Sequence, residues 1–598
     1  MCINAEKPRF LLVPTPFGGI SDCPKSYLPL GLLSVATVLH NAGIETEIVD
    51  INALASDFTF SNVAEDIMAR QPDIIGFSTV GAYYHLTIDM ARRCKELIPK
   101  TTIIFGGPQA TLTDEATVTA FPFVDVVVRG EAERSIIPLY EAISGKRDLM
   151  EVPGVTFFSH GQVIRTPDVP LIEDLDLLPD PSYELFPSIN NLEIIYVEDG
   201  RGCPYRCSFC CTNVFWHKRF RTRSVERVVH LLKKLAFQYG NNKRFVFIQD
   251  TPFLSEKRII QLCEAIKREN LDIRWRCYSR IDHLDETIVH KMADAGCDNI
   301  FFGIESGSQR MQKIIGKKLD LSNTINTTRL AFKQGPSYTV SFITGFPDET
   351  VEDLESTINL AMALKYDCGK CRDIQLHRLA PLPGSRIYEE YQDKLLLDYS
   401  FWGPWNSNCM SDKQLEMIKK YPRIFSSFYY CPTKHYSRKF WLQIHFLIGN
   451  LLRMDYAGFI LHKDKRLEFP ACVSKYHSLV VLPHDYEKKY GRYESLVQVA
   501  RFFKKVLKQI DLQDHYLCDV MDYELAVTKV RESTDEKPFM VENFEYDVEQ
   551  IIHSVEINEF HRLPKVVNRK HHTLLFTKNQ EKLVTVEIPE ALASMFTR

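Results

Sequence analysis

The sequence predicts an α/β protein. A doubly wound N-terminal domain comes first, then a partial (β/α)6 barrel. A mainly α C-terminal region follows and ends in a small α+β piece. Three observations carry this. Short, nearly continuous apolar strands alternate with amphipathic helical stretches from residue 9 to about 381, the pattern of parallel sheets covered on both faces. The alternation breaks once, in an irregular proline-rich stretch over 146–195, which splits it into two sheets. After about 395 the chain becomes aromatic-rich and largely helical.

The first series has strands at 9–16, 46–51, 73–80, 102–108 and 125–131, with helical stretches at 31–43, 63–71 and 86–98. A ligand of such a sheet lies at the carboxyl ends of its strands. The candidate loops are PTPFGG (14–19), STVGAY (78–83), GGPQA (106–110) and RGEAE (129–133), whose glycines allow close backbone approach. The stretch 146–195 reads as a linker with a small hairpin. The second series has strands at 192–200, 244–251, 273–281, 299–307, 339–347 and 373–381, with helices at 225–240, 256–270, 285–296, 323–335 and 352–366. Its chemistry is expected at the C-terminal strand ends. The tail closes on HTLLFTK (572–578) and KLVTVEIP (582–589). The expected divisions are 1–145, 146–191, 192–395 and 396–598, the last expected to cap the barrel and select substrate.

The chain of 598 residues carries 73 Lys plus Arg against 77 Asp plus Glu, a net charge of -4. No global basic field favours nucleic acid. Residues 1–10 lack the apolar stretch of a secretory signal. The longest later apolar run, 440–452, contains Gln443, His445 and Asn450, is short of a membrane span, and reads as a buried helix. A cytoplasmic, reducing setting is the expectation. There clustered cysteines point to metal or catalysis.

The 16 cysteines are too sparse for a disulfide scaffold, but three of them cluster. In RGCPYRCSFCC (201–211), Cys203, Cys207 and Cys210 form Cys-x-x-x-Cys-x-x-Cys on the loop after the first barrel strand. Thiolates are the ligands iron–sulfur clusters select, and three can hold three irons of a [4Fe–4S] cluster, leaving the fourth open. A structural zinc site would close with a fourth ligand. Cys211 and His217 allow that by count, but adjacent cysteines rarely ligate one ion in good geometry, and the motif sits at the catalytic end of a barrel.

This motif in this position resembles the radical S-adenosylmethionine (SAM) superfamily. The wider string RGCPYRCSFCCTNVFWHKRFRTRS (201–224) resembles its subfamily with an N-terminal cobalamin-binding domain of Rossmann-like fold, over about residues 8–395. The resemblance implies that Cys203, Cys207 and Cys210 hold the cluster and that its open iron chelates SAM. It further implies that Phe209 packs near adenine and that Asp250, Thr251, Ser279, Arg280, Glu305 and Ser306 lie near the ribose and methionine ends. Gly345, Phe346 and Pro347 of GFPDET (345–350) would flank adenine, and PLPGS (381–385) would close the last strand. Cobalamin would lie against Pro16, Phe17, Leu30, Gly31, Ser78, Thr79, Gly106, Gly107, Pro108, Gln109, Gly130 and Glu131. No Asp-x-His-x-x-Gly occurs in the first βα loop, so no histidine is placed there to ligate cobalt from below.

The implied activity is C-methylation of an unactivated carbon in a natural-product, peptide or lipid/pigment precursor. A methyl group passes from SAM by way of methylcobalamin, while a second SAM gives the radical. An sp³ C–H bond offers no nucleophile for polar transfer, so two cofactors make sense. Expected partners are a small-molecule or peptide substrate and an electron donor such as flavodoxin or ferredoxin. Other readings are non-methylating chemistry on the same chassis (cyclisation, ring contraction, oxygen insertion) and a non-catalytic cobalamin-binding regulator. A methylthiotransferase would need further N-terminal cysteine ligands, and Cys2, Cys23 and Cys94 lack that spacing.

Lesser features are read as follows. CGKC (368–371) lacks a second cysteine pair to make a second cluster. Cys23, Cys94, Cys263, Cys277 and Cys297 read as packing residues. KRFRTR (218–223) reads as a solvated basic face. Tyr429, Tyr430, His435 and Tyr436 read as a wall near the barrel mouth, with packing the commoner role for such residues.

Overall fold

The computed structural model describes residues 9–15, 28–50, 60–247, 255–333, 335–369, 371–398, 410–480, 492–513, 515–533, 535, 538–556, 569–579, 582–589 and 592. Pro16, Phe17, Asp250 and Thr251 therefore lie outside the described residues.

The first sheet has seven strands. These are β1 (Phe10–Val13), β2 (Thr46–Ile48), β3 (Ile74–Ser78), β4 (Thr102–Gly106), β5 (Val126–Val128), β6 (Val155–Ser159) and β7 (Gln162–Arg165), in the order β2-β1-β3-β4-β5-β6-β7. The strands β1 to β5 pair in parallel. Alternate residues feed two cores: Phe10, Leu12, Ile74 and Ile104 pack on one side, Leu11, Val13, Ile75 and Phe105 on the other. Burial on both faces is why these strands read as unbroken apolar runs. The expected linker hairpin is not a separate connector. It is β6 and β7, and β6 pairs antiparallel with β5 through Val127↔Thr156 and Val128↔Val155. The edge of β5 would otherwise be unpaired.

The second sheet contains β8 (Ile194–Val197), β11 (Arg244–Phe247), β12 (Arg274–Ser279), β13 (Cys297–Glu305), β14 (Ser337–Thr344) and β15 (Cys371–Arg378). All pair in parallel in the order β15-β14-β13-β12-β11-β8. A two-stranded hairpin, β9 (Gly200–Gly202) with β10 (Phe220–Thr222), stands beside it. Helices over 225–239, 256–268, 286–294 and 351–367 start on side-chain caps from Ser224, Ser255, Asp285 and Thr350. Each cap satisfies a backbone N–H that the first helical turn leaves open. A further short helix, Gln309–Ile314, was not expected.

The C-terminal region is helical over 412–420, 438–451, 455–463, 471–476, 492–509, 517–532 and 548–556. It carries two small antiparallel sheets: β16 (Leu396–Leu397) with β17 (Tyr429–Tyr430), and β18 (Phe539–Tyr546), β19 (Arg569–Asn579) and β20 (Lys582–Ile588). It touches both earlier domains. Phe425 and Phe428 pack against Tyr84 and His85 of the N-terminal domain. The helix 438–451 runs beside β15, where His445 Nε2 donates to the Leu376 carbonyl (3.1 Å). Among the described residues no helix is long and apolar enough to cross a membrane.

Candidate active site

The cysteine loop leaves the sheet just past β8 and is pinched at its base by the β9–β10 hairpin. Gly202 immediately precedes Cys203. Its φ of +88° and a backbone oxygen, Arg219 O, 2.1 Å from where a Cβ would stand exclude any other residue. On its far side the loop is clasped by two other segments. Ser208 N donates to Ile315 O (2.8 Å), and Ile387 N donates to Ser208 O (3.0 Å). The loop is therefore held by the segments that follow β13 and β15.

Cys203, Cys207 and Cys210 are half-buried thiols outside any disulfide. Burial pushes the Cys207 thiol up to about 11, while the Lys317 ammonium pulls it down and the sulfurs of Cys210 and Cys203 act on it in turn. The three sulfurs and Lys317 thus share one electrostatic neighbourhood. Among the described residues no group of three or more His, Cys, Asp or Glu closes around a point as a single ion requires. A cubane cluster makes no such demand, because each thiolate takes a different iron. Three thiols on one clasped loop suit that donor set.

Beside the loop, β13 ends at Glu305, a non-glycine residue at φ +69°, where the register with β14 also shifts. Strain of this kind persists where the surroundings over-determine it. Here Glu305 is buried and its Oε1 receives Lys317 Nζ at 2.8 Å; Lys317 is buried too. Sequence reasoning missed Lys317, although a buried carboxylate asks for a buried cation. Arg280 is held by Asp282 (2.7 and 3.0 Å) and lies 4.0 Å over the ring of Tyr205, inside the cysteine loop. It braces the loop through that ring. The Ser279 hydroxyl donates to the Arg280 carbonyl (3.2 Å). Ser306 is not displayed as expected. It is fully buried, with its hydroxyl within 3.2 Å of Thr357 Oγ1 and of Ser308 N, so it pins the β13 loop to the helix 351–367.

Phe209 and Phe346, expected at one end of a common ligand, do meet, with ring centroids 6.0 Å apart and nearly edge to face. The segment 345–349 is cupped by the C-terminal region. Trp441 stands against Gly345 and donates from Nε1 to Thr344 Oγ1 (3.2 Å), Lys434 N donates to Pro347 O (2.9 Å), and Tyr436 OH donates to Glu349 Oε2 (2.5 Å). Burial pushes the Glu349 carboxyl up to about 7. A cavity of 160 Å³ lies here, walled by Gly345, Tyr430, Tyr436, Arg438 and Trp441. Of the expected aromatic wall, Tyr430 and Tyr436 line it. Tyr429 is buried and donates to Ile418 O (3.0 Å), and His435 is exposed.

In the N-terminal domain, a Cβ on Gly31 or Gly130 would meet none of the described residues within 4 Å, and one on Gly106 only Val128 O at 4.0 Å. Backbone without side chains at these strand ends suits close approach by a large flat ligand. Leu30 is half-buried at the start of the helix 30–41, Pro108 is exposed and Ser78 half-buried. Three expected contacts are instead spent on the fold. Thr79 Oγ1 donates to Gly106 O (2.8 Å) and accepts from Ala110 N (2.9 Å), with Gly107 packed on its backbone. Gln109 Nε2 donates to Ile424 O of the C-terminal region (2.8 Å).

Glu131 is the third, and it joins the domains. It accepts from Arg201 Nη1 (2.8 Å), Arg221 Nη1 (2.9 Å) and Ile172 N (2.7 Å). Arg201 also holds Glu133 and Glu198, each at 2.7 Å. The run 218–223 is thus solvated at Lys218 and Arg219 only. Arg221 and Arg223 are buried and paired, because β10 packs against the N-terminal domain. The two domains also meet at Gly384, where a Cβ would touch Leu112 at 3.1 Å and Val214 of the cysteine loop at 3.4 Å.

Comparison with known proteins follows the same division. The Radical SAM superfamily matches residues 197–361 and the B12 binding domain residues 22–137. An uncharacterized methyltransferase of Pyrococcus horikoshii is 36% identical over 365 residues, covering 60% of this chain and 78% of that one. The anaerobic magnesium-protoporphyrin IX monomethyl ester cyclase of Rubrivivax gelatinosus is 26% identical over 367 residues, 59% of this chain and 64% of that one. Among solved structures, the cobalamin-dependent S-adenosylmethionine radical enzyme OxsB, with aqua-cobalamin and S-adenosylmethionine bound, superposes with a TM-score of 0.56 at 17% identity, covering 87% of this chain and 83% of that one. The radical S-adenosylmethionine methyltransferase TsrM from Kitasatospora setae, with cobalamin and a [4Fe-4S] cluster bound, superposes at 0.54 and 20% identity, over 64% of this chain and 75% of that one. These two likenesses speak to the fold.

Proposed function

The chain belongs to the radical SAM enzymes that carry a B12-binding domain, and from that premise we propose that it is a C-methyltransferase acting on an unactivated carbon of a small molecule or peptide. The observation that carries this is the placement of the thiols Cys203, Cys207 and Cys210. They lie at the C-terminal end of one parallel sheet, on a loop tied by Arg201 to the strand ends of another. The methyltransferase of Pyrococcus horikoshii supports the choice of reaction.

In this reading Cys203, Cys207 and Cys210 hold a [4Fe–4S] cluster. Glu305 and Lys317 meet the polar end of SAM, and Phe209 and Phe346 meet its adenine. The backbone at Gly31, Gly106 and Gly130 faces cobalamin. When bound, the cluster and SAM supply a radical that removes hydrogen from carbon, and cobalamin supplies the methyl group. The chain's own work is alignment and the exclusion of water. The Arg201 network fixes one cofactor region against the other, and the segment 430–441 walls off the strand ends around Gly345. An external one-electron donor such as flavodoxin or ferredoxin, in a reducing cytoplasm, completes the assignment.

A second reading is kept because relatives include a cyclase: the same groups would then serve ring formation without methyl transfer. One experiment separates the two. After anaerobic purification and reconstitution, the chain should hold one cluster and one cobalamin, and the Cys203→Ala, Cys207→Ala, Cys210→Ala triple variant should retain cobalamin but lose essentially all iron. Product one methyl heavier, with S-adenosylhomocysteine formed, supports methylation. 5′-Deoxyadenosine without either supports the second reading, and no bound cobalamin sinks both.

A further inference from the structure

The second sheet has one face under helices and one that is not. Trp275 and Cys277 of β12 are buried in the helix-covered core, so Arg276 and Tyr278, the alternate residues, lie on the other face. That inner face is accessible. Tyr278 is 40% exposed, and Asp373 and His377 of β15 are exposed as well. A closed barrel filled by side chains would leave none of these reachable. The inner face therefore bounds an open lumen.

Along β15 the inner face carries a ladder at every second residue. Ile374 lies in the helix-covered core, while Asp373, Gln375 and His377 point the other way. Gln375 Nε2 donates to Asp373 Oδ2 (3.2 Å), and His377 Nε2 lies 3.1 Å from Gln375 Oε1. The ladder has only one polarity. A carboxylate oxygen accepts, so the Gln375 amide turns its NH2 toward Asp373 and its carbonyl toward His377. His377 Nε2 must then carry the hydrogen. Its Nδ1 is left as an acceptor, with no partner among the described residues. Surrounding protein lowers the His377 pKa, while the carboxylates of Glu305 and Asp373 act the other way. Elsewhere on the same face, the Tyr278 and Phe301 rings lie 5.1 Å apart and form an aromatic wall.

We propose that His377 is a positioning residue for the substrate. Its Nδ1, fixed as an acceptor by Gln375 and Asp373, takes a hydrogen bond from a neutral O–H or N–H of the substrate. The substrate class is thus a compound that presents a neutral hydroxyl, amine or amide donor to the inner face. This rests on the proposed function, whose cysteine loop stands at the C-terminal ends of these strands, and adds what the inner face selects.

The test uses the full-length, cofactor-loaded chain labelled with 15N-histidine, without reductant. The His377 signals are assigned by their loss in His377→Asn. The expected result is the Nε2–H tautomer in the wild type, lost in Gln375→Leu. Titration with p-cresol should shift Nδ1, and 4-methylanisole, which has the same ring but no O–H, should bind roughly five- to tenfold more weakly, the worth of one hydrogen bond. An Nδ1–H tautomer in the wild type would falsify the proposal. Equal binding of the two probes, or no binding of p-cresol at millimolar concentration, would also overturn it. The wild-type measurement stands even if a variant misfolds. Because no turnover is involved, failure of methyl transfer leaves this result readable, and the reverse holds as well.

Discussion

Arg201 precedes Cys203 by two positions, yet its guanidinium is committed to Glu131, Glu133 and Glu198. Burial alone would raise the Glu133 carboxyl, but the charge and hydrogen bonds of Arg201 outweigh it and hold Glu133 below its usual value. Removing one partner of a buried set costs far more than the set is worth intact, because the others stay desolvated and unpaired. Arg201→Met should therefore destabilise the chain by about 3–5 kcal/mol. Urea unfolding measures the loss, and faster proteolysis between the first two domains should accompany it. None of this was legible in the sequence. Glu131 looked like a ligand residue because it ends a strand, and Arg221 looked solvated because it sits in a basic run. Partners 70 and 90 residues apart leave no local trace of their pairing. The cysteine triad was legible for the opposite reason: all of its spacing lies inside one loop.

At the scale of elements, the strands and most helices were readable because burial on both faces and side-chain caps are written locally. The helix 455–463 is an exception. Its N-cap residue, Met454, makes no side-chain cap, and the open N–H groups of Tyr456 and Ala457 are met by Glu524 from the helix 517–532 at 3.0 and 2.9 Å. Burial pushes the Glu524 carboxyl up to about 7. The folded state thus binds a proton between about pH 4.5 and 7 that the unfolded chain has released. Its stabilising share is complete below that window and is lost as pH rises through it, by roughly 3 kcal/mol at most. Glu524→Gln keeps a carbonyl acceptor and does not ionise. Thermal unfolding between pH 5 and 8 should show a shallower fall in stability for the variant than for the wild type, and parallel curves would refute the assignment.

Across the whole molecule, the order of the domains could be read from their separate periodicities, but their docking could not. The C-terminal region looked like a lid with no chemical signature. It is also structural. β15 is an outer strand of its sheet, and the helix 438–451 covers that side, with His445 on the Leu376 carbonyl and Trp441 stacked on His445 at 4.5 Å. An uncovered strand edge pairs with other chains. A chain ending at residue 395 should accordingly be recovered in aggregates, with the soluble fraction after centrifugation reduced about tenfold or more. Full solubility of the truncated chain would argue against this role.

The same helix places Trp441 and Arg438 on the cavity beside Gly345, and this dual duty bears on how such a protein can diversify. An ancestor that traded its tail wholesale would have lost its sheet before it gained a new preference. Variation in what the protein accepts has to proceed one side chain at a time, on a helix whose opposite flank is not free to change. Directed evolution aimed at this segment should respect the same boundary, randomising the cavity-facing positions and leaving His445 alone.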